Sequence, residues 1–424
     1  MDTDETLDKI KPIIKAFYSE RLAEWDTFDP DKDPVPVGWP IYDDEEVAGV
    51  LKALLEFRLS KGPYVKAFEE EYAVYQQTKH ATAVNSGTSA NIIAIQCLIE
   101  KGLLKKGQEI IIPAATFSAV ASPILQNGCI PVYVDVEKDS YNIDPKEVEK
   151  AISDKTGAIM PVHSLGNPCD IEAIMAIAQK HNLPVIEDLC ESHGAMVKGK
   201  KLGSFGTISA LSFFVAHNMT TGEGGMIFTD DPELDSIAKS LREFGRIQSD
   251  ERYPEVNKEL GRYDRRYVFE LVGYNMRMAD PTAAFGSAQL RKLDAFNETR
   301  RKNAAYLVEG LKPFEAVLQL PSEHDEHHHT YYGFVLVVKD GKLSRNELSM
   351  FLNEKRIENR PFLAGSLPDQ PAFKDAPGRV VGDLPVSRWL RDNAVFVGCH
   401  PLLDKPRLDY IIEVIGGFVK KHTA

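Results

Sequence analysis

Apolar residues recur along this chain in two different periods, and the switch between them marks out its elements. Leu7, Ile10, Ile13, Ile14 and Phe17 fall three or four apart, which predicts an amphipathic helix near the start. The run Asp29-Pro30-Asp31-Lys32-Asp33-Pro34 reads as a linker behind it. Two more helices are expected over 43–57 and 65–75, parted by a turn at Lys61-Gly62-Pro63, with Phe68, Tyr72 and Tyr75 on one face. Short β-branched and aromatic runs then take over, at 80–84, 109–112, 130–136, 157–163, 184–188, 208–214 and 225–229. Helical stretches such as 145–152 and 171–181 separate most of them. Strands alternating with helices predict an α/β fold around a mostly parallel seven-stranded sheet covered on both faces.

Near Pro281 the pattern changes to one long helix, over 283–311, carrying Leu290, Leu293, Phe296, Ala304 and Leu307. A smaller α/β unit follows, with a strand at 332–338 and helices at 344–355 and 408–421. The expected division is an N-terminal extension over 1–35, a large domain over 36–295 and a small domain over 296–424. The extension has no chemical motif, and docking on the body or on a partner subunit is its plain reading.

Composition narrows the classes. Hydrophobic content of 43% and charged content of 27% suit a soluble globular protein. A formal charge of −13 argues against non-specific nucleic-acid binding, so an anionic ligand must be met by local donors. No apolar run approaches the ~20 residues that span a bilayer, and Met1-Asp2-Thr3-Asp4-Glu5 does not open a signal peptide. A cytoplasmic protein without a membrane partner is expected. The cysteines Cys97, Cys129, Cys169, Cys190 and Cys399 are scattered, without metal-type spacing.

Chemistry concentrates in a few strings. Between two expected strands lies Ser212-Phe213-Phe214-Val215-Ala216-His217-Asn218-Met219-Thr220-Thr221-Gly222-Glu223-Gly224-Gly225, a polar, Gly-rich loop of the kind a scaffold uses for function. Asn85-Ser86-Gly87-Thr88-Ser89-Ala90-Asn91 stands between a strand and a helix. Free N–H groups of a first helical turn and the helix dipole favour an anion there, although ordinary capping uses the same residues. Thr116-Phe117-Ser118 follows another strand. Glu187-Asp188-Leu189-Cys190-Glu191-Ser192-His193-Gly194-Ala195 puts an acid at the end of a buried strand, which is costly unless a cationic partner meets it. Gly273-Tyr274-Asn275-Met276-Arg277-Met278-Ala279-Asp280 precedes the long helix. His163-Ser164-Leu165-Gly166-Asn167-Pro168 and Asn359-Arg360-Pro361-Phe362-Leu363-Ala364-Gly365 complete the set.

In this order, over residues 35–424, these strings resemble the DegT/DnrJ/EryC1/StrS sugar aminotransferases, members of the aspartate-aminotransferase-like fold type I that use pyridoxal 5'-phosphate (PLP). The resemblance puts Gly87 and Thr88 on the cofactor phosphate, Phe117 on the ring face and Asp188 on the pyridine nitrogen, with Glu191 and Ser212 also in contact with the cofactor. It puts Asn275 on the phosphate of a neighbouring subunit, which implies a homodimer with shared active sites. The chain departs from the aminotransferases twice. His217 stands where they carry the lysine that holds PLP covalently, and Glu191 stands where glutamine is common. Both departures match the histidine-bearing nucleotide-sugar 3-dehydratase branch. An imidazole has no primary amine, so the cofactor is expected to bind non-covalently, with His217 free to move protons.

That branch implies a reaction in which glutamate loads PLP as pyridoxamine 5'-phosphate and a nucleotide-linked 4-keto-6-deoxyhexose loses its C3 hydroxyl. Arg246, Arg265, Arg266, His329 and Arg360 are candidate substrate contacts. One form of the branch adds an iron–sulfur cluster held by four cysteines. Cys190 suits the first position, but no cysteine lies between it and Cys399, so no cluster is expected. The triplet His327-His328-His329 makes a poor chelate, since neighbours on a strand point to opposite faces. It is expected as an exposed loop with no metal, His329 being the one placed to face the cleft. An aminotransferase whose lysine was replaced, or a PLP-binding paralogue without activity, shares the same single exchange. Nucleotide and sugar stereochemistry stay open.

Overall fold

The seven apolar runs become β1 (His80–Val84), β2 (Glu109–Pro113), β3 (Ile130–Val134), β4 (Thr156–Ile159), β5 (Ile186–Asp188), β6 (Ile208–Ser212) and β7 (Gly225–Thr229). The structure is a computed structural model and describes residues 2–248, 253–262, 264–339, 341 and 343–423. Across the sheet the order is β1-β7-β6-β5-β4-β2-β3, the β5–β4 junction being made by parallel bridges Ile159–Val185 and Val162–Asp188. Only β7 runs antiparallel to its neighbours. The mostly parallel sheet is therefore as the pattern predicts. A two-residue strand, Arg379–Val380, adds beside β3 from far along the chain.

Burial on both faces explains why these strands are apolar throughout. Ile111 packs with Phe68 and Tyr72 on one side, while Ile110 and Ile112 pack with Ile93 and Leu98 on the other. Each such side chain removed from water is worth roughly 1.5–3 kcal/mol. Expected strand 208–214 stops at Ser212, because Phe214 and Val215 turn out toward solvent.

The long helix runs Asp280–Leu311 without a break across the expected 295/296 boundary. Beyond it, β8 (Leu318–Gln319), β9 (Phe334–Val338), β10 (Asn359–Pro361) and β11 (Ala394–Val397) form an antiparallel sheet in the order β8-β9-β11-β10.

The expected linker, Asp29 to Pro34, leads into a segment fastened to the small unit. Val35 N donates to Arg356 O at 2.9 Å, Glu358 N donates to Val35 O at 2.9 Å, and His400 Nε2 meets Pro36 O at 3.1 Å. It then runs to Gly38, where an added Cβ would lie 2.9 Å from the Ala216 Cβ, beside His217. One expectation is corrected: the histidine triplet is not an exposed loop. His327–His328 pairs antiparallel with Met196–Val197, and His329 is buried against Tyr331, ring on ring at 3.6 Å. Ahead of the linker, helix Thr3–Ala23 docks by Leu7 and an Asp4–Lys52 pair at 2.9 Å, leaving Ile13 and Phe17 exposed.

Candidate active site

Parallel strands end together, so the loops after β5 and β6 share one edge of the sheet. Asp188 closes β5 and is buried. Its Oδ2 accepts from Asn91 Nδ2 at 2.8 Å and its Oδ1 from Cys190 N at 3.0 Å. It makes no ion pair with a described residue. Its neighbour Glu187 points the other way and accepts from the N–H groups of Gly203, Phe205 and Gly206 at 2.8, 2.9 and 2.6 Å. One step along the strand separates a carboxylate saturated by the fold from one left available. Glu191 accepts from Leu165 N at 2.8 Å. Burial, with the Asp188 charge adding to it, pushes its carboxyl up to about 7 against that hydrogen bond.

His217 sits on the loop between β6 and β7. Its Nδ1 lies 2.8 Å from Ser212 O, an acceptor only, so Nδ1 carries the proton and Nε2 keeps its lone pair. Nε2 has no partner among the described residues. The loop cannot swing freely. Asn218 Nδ2 donates to Asn297 Oδ1 at 2.8 Å and to Thr330 O at 2.9 Å, while Thr220 N donates to Gln289 Oε1 at 3.2 Å. The imidazole is ringed by His193, Phe214 and Tyr332, with centroids at 5.7, 5.8 and 5.3 Å. Burial pulls its pKa down to about 4, the Arg300 charge adding to that and the Ser212 carbonyl opposing it. The resting ring is neutral.

At the start of helix Gly87–Glu100, Ser86 Oγ takes the N–H of Ser89 at 3.1 Å. The N–H groups of Gly87 and Thr88 have no protein acceptor among the described residues. A Cβ on Gly87 would lie 2.4 Å from the Ser212 Cβ, so only glycine lets these donors close on the Ser212 hydroxyl. Phe117 caps the next helix and stays 58% exposed, far more than a core aromatic would be. Beside it the buried Thr116 Oγ1 has no partner. Spare donors, an open aromatic face and a buried carboxylate without a cation fit a group with a phosphate, a flat ring and a protonated nitrogen. PLP is such a group.

The remaining candidates are not drawn to His217, Asp188 or Glu191 by any hydrogen bond or ring contact among the described residues. Arg246 Nη1 reaches Glu243 at 3.0 Å, Arg265 Nη2 reaches Gln248 O at 2.8 Å, and Arg266 Nη2 pairs with Asp264 at 2.5 Å. Arg360, on β10, bonds Asn359 O at 2.9 Å and lies electrostatically within reach of Tyr332. Asn275 is exposed, accepting from Arg277 Nε at 3.1 Å, and the next residue, Met276, accepts at its O from Asn85 N at 3.0 Å, just past β1. Buried His329 accepts from Tyr331 N at 2.9 Å through Nδ1, and burial pushes its pKa down to about 3. Residues the motifs did not mark are Asn91, His193, Arg300 and Tyr332. Only Asn91 and His193 stood within a marked string.

Sheet order, the shared strand ends and the PLP-fitting cleft define an enzyme of the aspartate-aminotransferase-like class. The chain belongs to the DegT/DnrJ/EryC1/StrS aminotransferase family, whose model matches residues 40–416. It is 34% identical to the lipopolysaccharide biosynthesis protein RfbH of Salmonella typhimurium over 97% of this chain and 98% of that one. It is also 34% identical to the dTDP-4-dehydro-2,6-dideoxy-D-glucose 3-dehydratase of Saccharopolyspora spinosa, over 98% of this chain and 93% of that one. Among solved structures, the E. coli GDP-4-keto-6-deoxy-D-mannose-3-dehydratase with bound hydrated PLP superposes with a TM-score of 0.83. That match has 32% identity and covers 90% of this chain and 99% of the other. No helix among the described residues is long and apolar enough to cross a membrane.

Proposed function

We propose that this chain is a PLP-dependent 3-dehydratase of a nucleotide-linked 4-keto-6-deoxyhexose, with glutamate as amino donor. The observation that carries the reading is His217, a proton shuttle fixed on the loop that holds the cofactor lysine in the aminotransferases. Relatives named as 3-dehydratases of dTDP- and GDP-linked sugars support it. When bound, the cofactor supplies the amino group that carries the sugar and the electron sink that lets C3 lose its hydroxyl.

The chain's own residues do the rest. Gly87, Thr88 and Ser212 take the phosphate, Phe117 lies on the ring, and Asp188 keeps the ring nitrogen protonated. His217 Nε2 accepts a proton and delivers one to the departing hydroxyl, while Nδ1 keeps its grip on Ser212 O. Glu191, with its carboxyl near 7, can hold a proton beside Asp188 rather than repel it. Iron–sulfur chemistry has no part in the reading, because Cys169, Cys399 and the pair Cys97 and Cys129 lie in three separate cores. The working unit is a homodimer. Tyr267, Phe269 and Val272 are 61%, 52% and 94% exposed on the segment that carries Asn275, as suits residues awaiting a second subunit. Its small substrates are nucleotide sugar and glutamate, and its place is the cytoplasm.

Borohydride treatment of the PLP-loaded protein tests the non-covalent cofactor. The reading expects no pyridoxyl group on any peptide by mass spectrometry, and a modified lysine contradicts it.

A further inference from the structure

Arg300 is 2% exposed, on the face of the long helix turned toward the site. It makes no ion pair among the described residues. Its Nη1 divides itself between the carbonyls of Tyr331 and Tyr332, each at 3.2 Å, and its buried Nε has no partner. Arg300 also faces the Cys399 thiol, whose pKa burial pushes up to about 11, so all its partners are neutral. A buried guanidinium among neutral acceptors is an expensive arrangement, and a structural clamp on two carbonyls would be served by an uncharged amide. The Tyr332 that it holds places a ring edge-on to His217, 5.3 Å between centroids.

We propose that Arg300 is a positioning residue for His217: it pins the segment that packs Tyr332 against the imidazole, and its unpaired charge disfavours the imidazolium. The shuttle, which burial already favours in its neutral form, is thereby biased further toward the form able to accept a proton after each turnover. The electrostatic direction agrees: burial is the larger cause of the lowered proton affinity of His217, His193 and His400, and the Arg300 charge adds to it.

Other groups around the imidazole do not supply the same effect. β5 and the loop after it contribute Asp188, Cys190, Glu191 and His193. The two carboxyls would raise the affinity if ionised. Cys190 is held neutral because burial raises its thiol well above the usual range. His193 donates from Nε2 to the same Ser212 O at 2.8 Å and is held neutral by burial. Tyr332 stays a neutral phenol, burial raising its pKa well above the ordinary value. Arg300 is the cation of this set, and like charge nearby is what disfavours a protonated ring.

The proposal rests on the proton-shuttle reading of His217, but its test does not need turnover. The imidazole of His217 is titrated by NMR in the cofactor-free protein, its signal assigned by loss in His217→Asn. Wild type and Arg300→Lys should titrate well below an ordinary histidine. Arg300→Gln, which keeps an N–H donor for the carbonyls and drops the charge, should titrate higher by about half a pH unit or more. In the loaded enzyme the acidic limb of kcat/KM should move to higher pH in the glutamine variant and stay in place in the lysine variant. Equal titration in the two variants overturns the proposal. If the glutamine variant does not fold, a wild-type His217 that titrates near its ordinary value overturns it too. If His217 titrates as expected but the loaded enzyme aminates its sugar, the dehydratase reading fails and the assignment of Arg300 stands.

Discussion

Away from the cleft, Glu46, Glu69 and Glu109 are buried and each meets a cation. Lys292 stands 2.8 Å from Glu46, Arg379 stands 2.7 Å from Glu109, and Arg242 bonds Glu69. At the end of β5 Asp188 is buried as well, and in the loop after it Glu191 is partly buried, yet neither has a cation among the described residues. The same separation holds within one strand, where Glu187 takes three backbone N–H groups and Asp188 keeps its capacity for a ligand. Burial of charge is thus used in two ways. Where the fold completes the pair, the charge is architecture; where it leaves Asp188 open, the proposed function makes the cofactor the missing partner.

Breaking that contrast should give effects of graded size. Replacing His217 by Asn should cost about 10²–10⁴ in turnover, the usual worth of a positioned acid–base. PLP absorbance should persist, since the phosphate, ring and nitrogen contacts are elsewhere. Loss of bound PLP along with activity would count against this. Removing one member of a closed pair should hurt the fold instead. Glu69→Ala leaves Arg242 buried and unpaired and should cost roughly 3–5 kcal/mol in denaturant unfolding. Asp188→Asn should unfold like wild type without cofactor but bind PLP weakly. If it loses as much stability as Glu69→Ala, the distinction between closed and open carboxylates fails.

Glu191 gives a smaller, pH-dependent effect. Its folded pKa is raised from 4.5 to about 7, so the fold binds its proton more tightly than the unfolded chain does. The stability this contributes is present at low pH and is lost as pH rises through that window. Glu191→Gln removes the loss, so the variant should gain on wild type between pH 5 and 8 by about 1–3 kcal/mol. Parallel stability curves for the two proteins would place Glu191 at an ordinary pKa. Last, Gly87→Ala forces a Cβ within 2.4 Å of the Ser212 side chain and should cost about 1–3 kcal/mol by opening the phosphate end. Unchanged stability and PLP affinity would show the approach to be looser.

Local pattern carried much of this. β7 and helix Ile171–His181 fall where hydrophobic period put them, because each element buries its own apolar run. His217, Asp188 and Gly87 were visible because their flanking strings are specific. What the chain could not reveal depends on distant partners. The tautomer of His217 requires the place of Ser212 O, and Arg300 matters only because the long helix lies behind Tyr332. A two-residue strand such as His327–His328 has no period of its own, and its partner Met196–Val197 lies more than a hundred residues earlier in the chain. Val35 likewise reads as linker until Ile357 is beside it.

The fate of nitrogen and of C3 tests the central claim most directly. The protein is incubated in deuterated water with glutamate and 4-keto-6-deoxyhexoses linked to GDP, CDP and dTDP. The account predicts 2-oxoglutarate and ammonia in equal amounts and a 3-deoxy-4-keto sugar carrying deuterium at C3. A stable 4-amino sugar, formed without ammonia and with its C3 hydroxyl intact, would make this chain an aminotransferase despite His217.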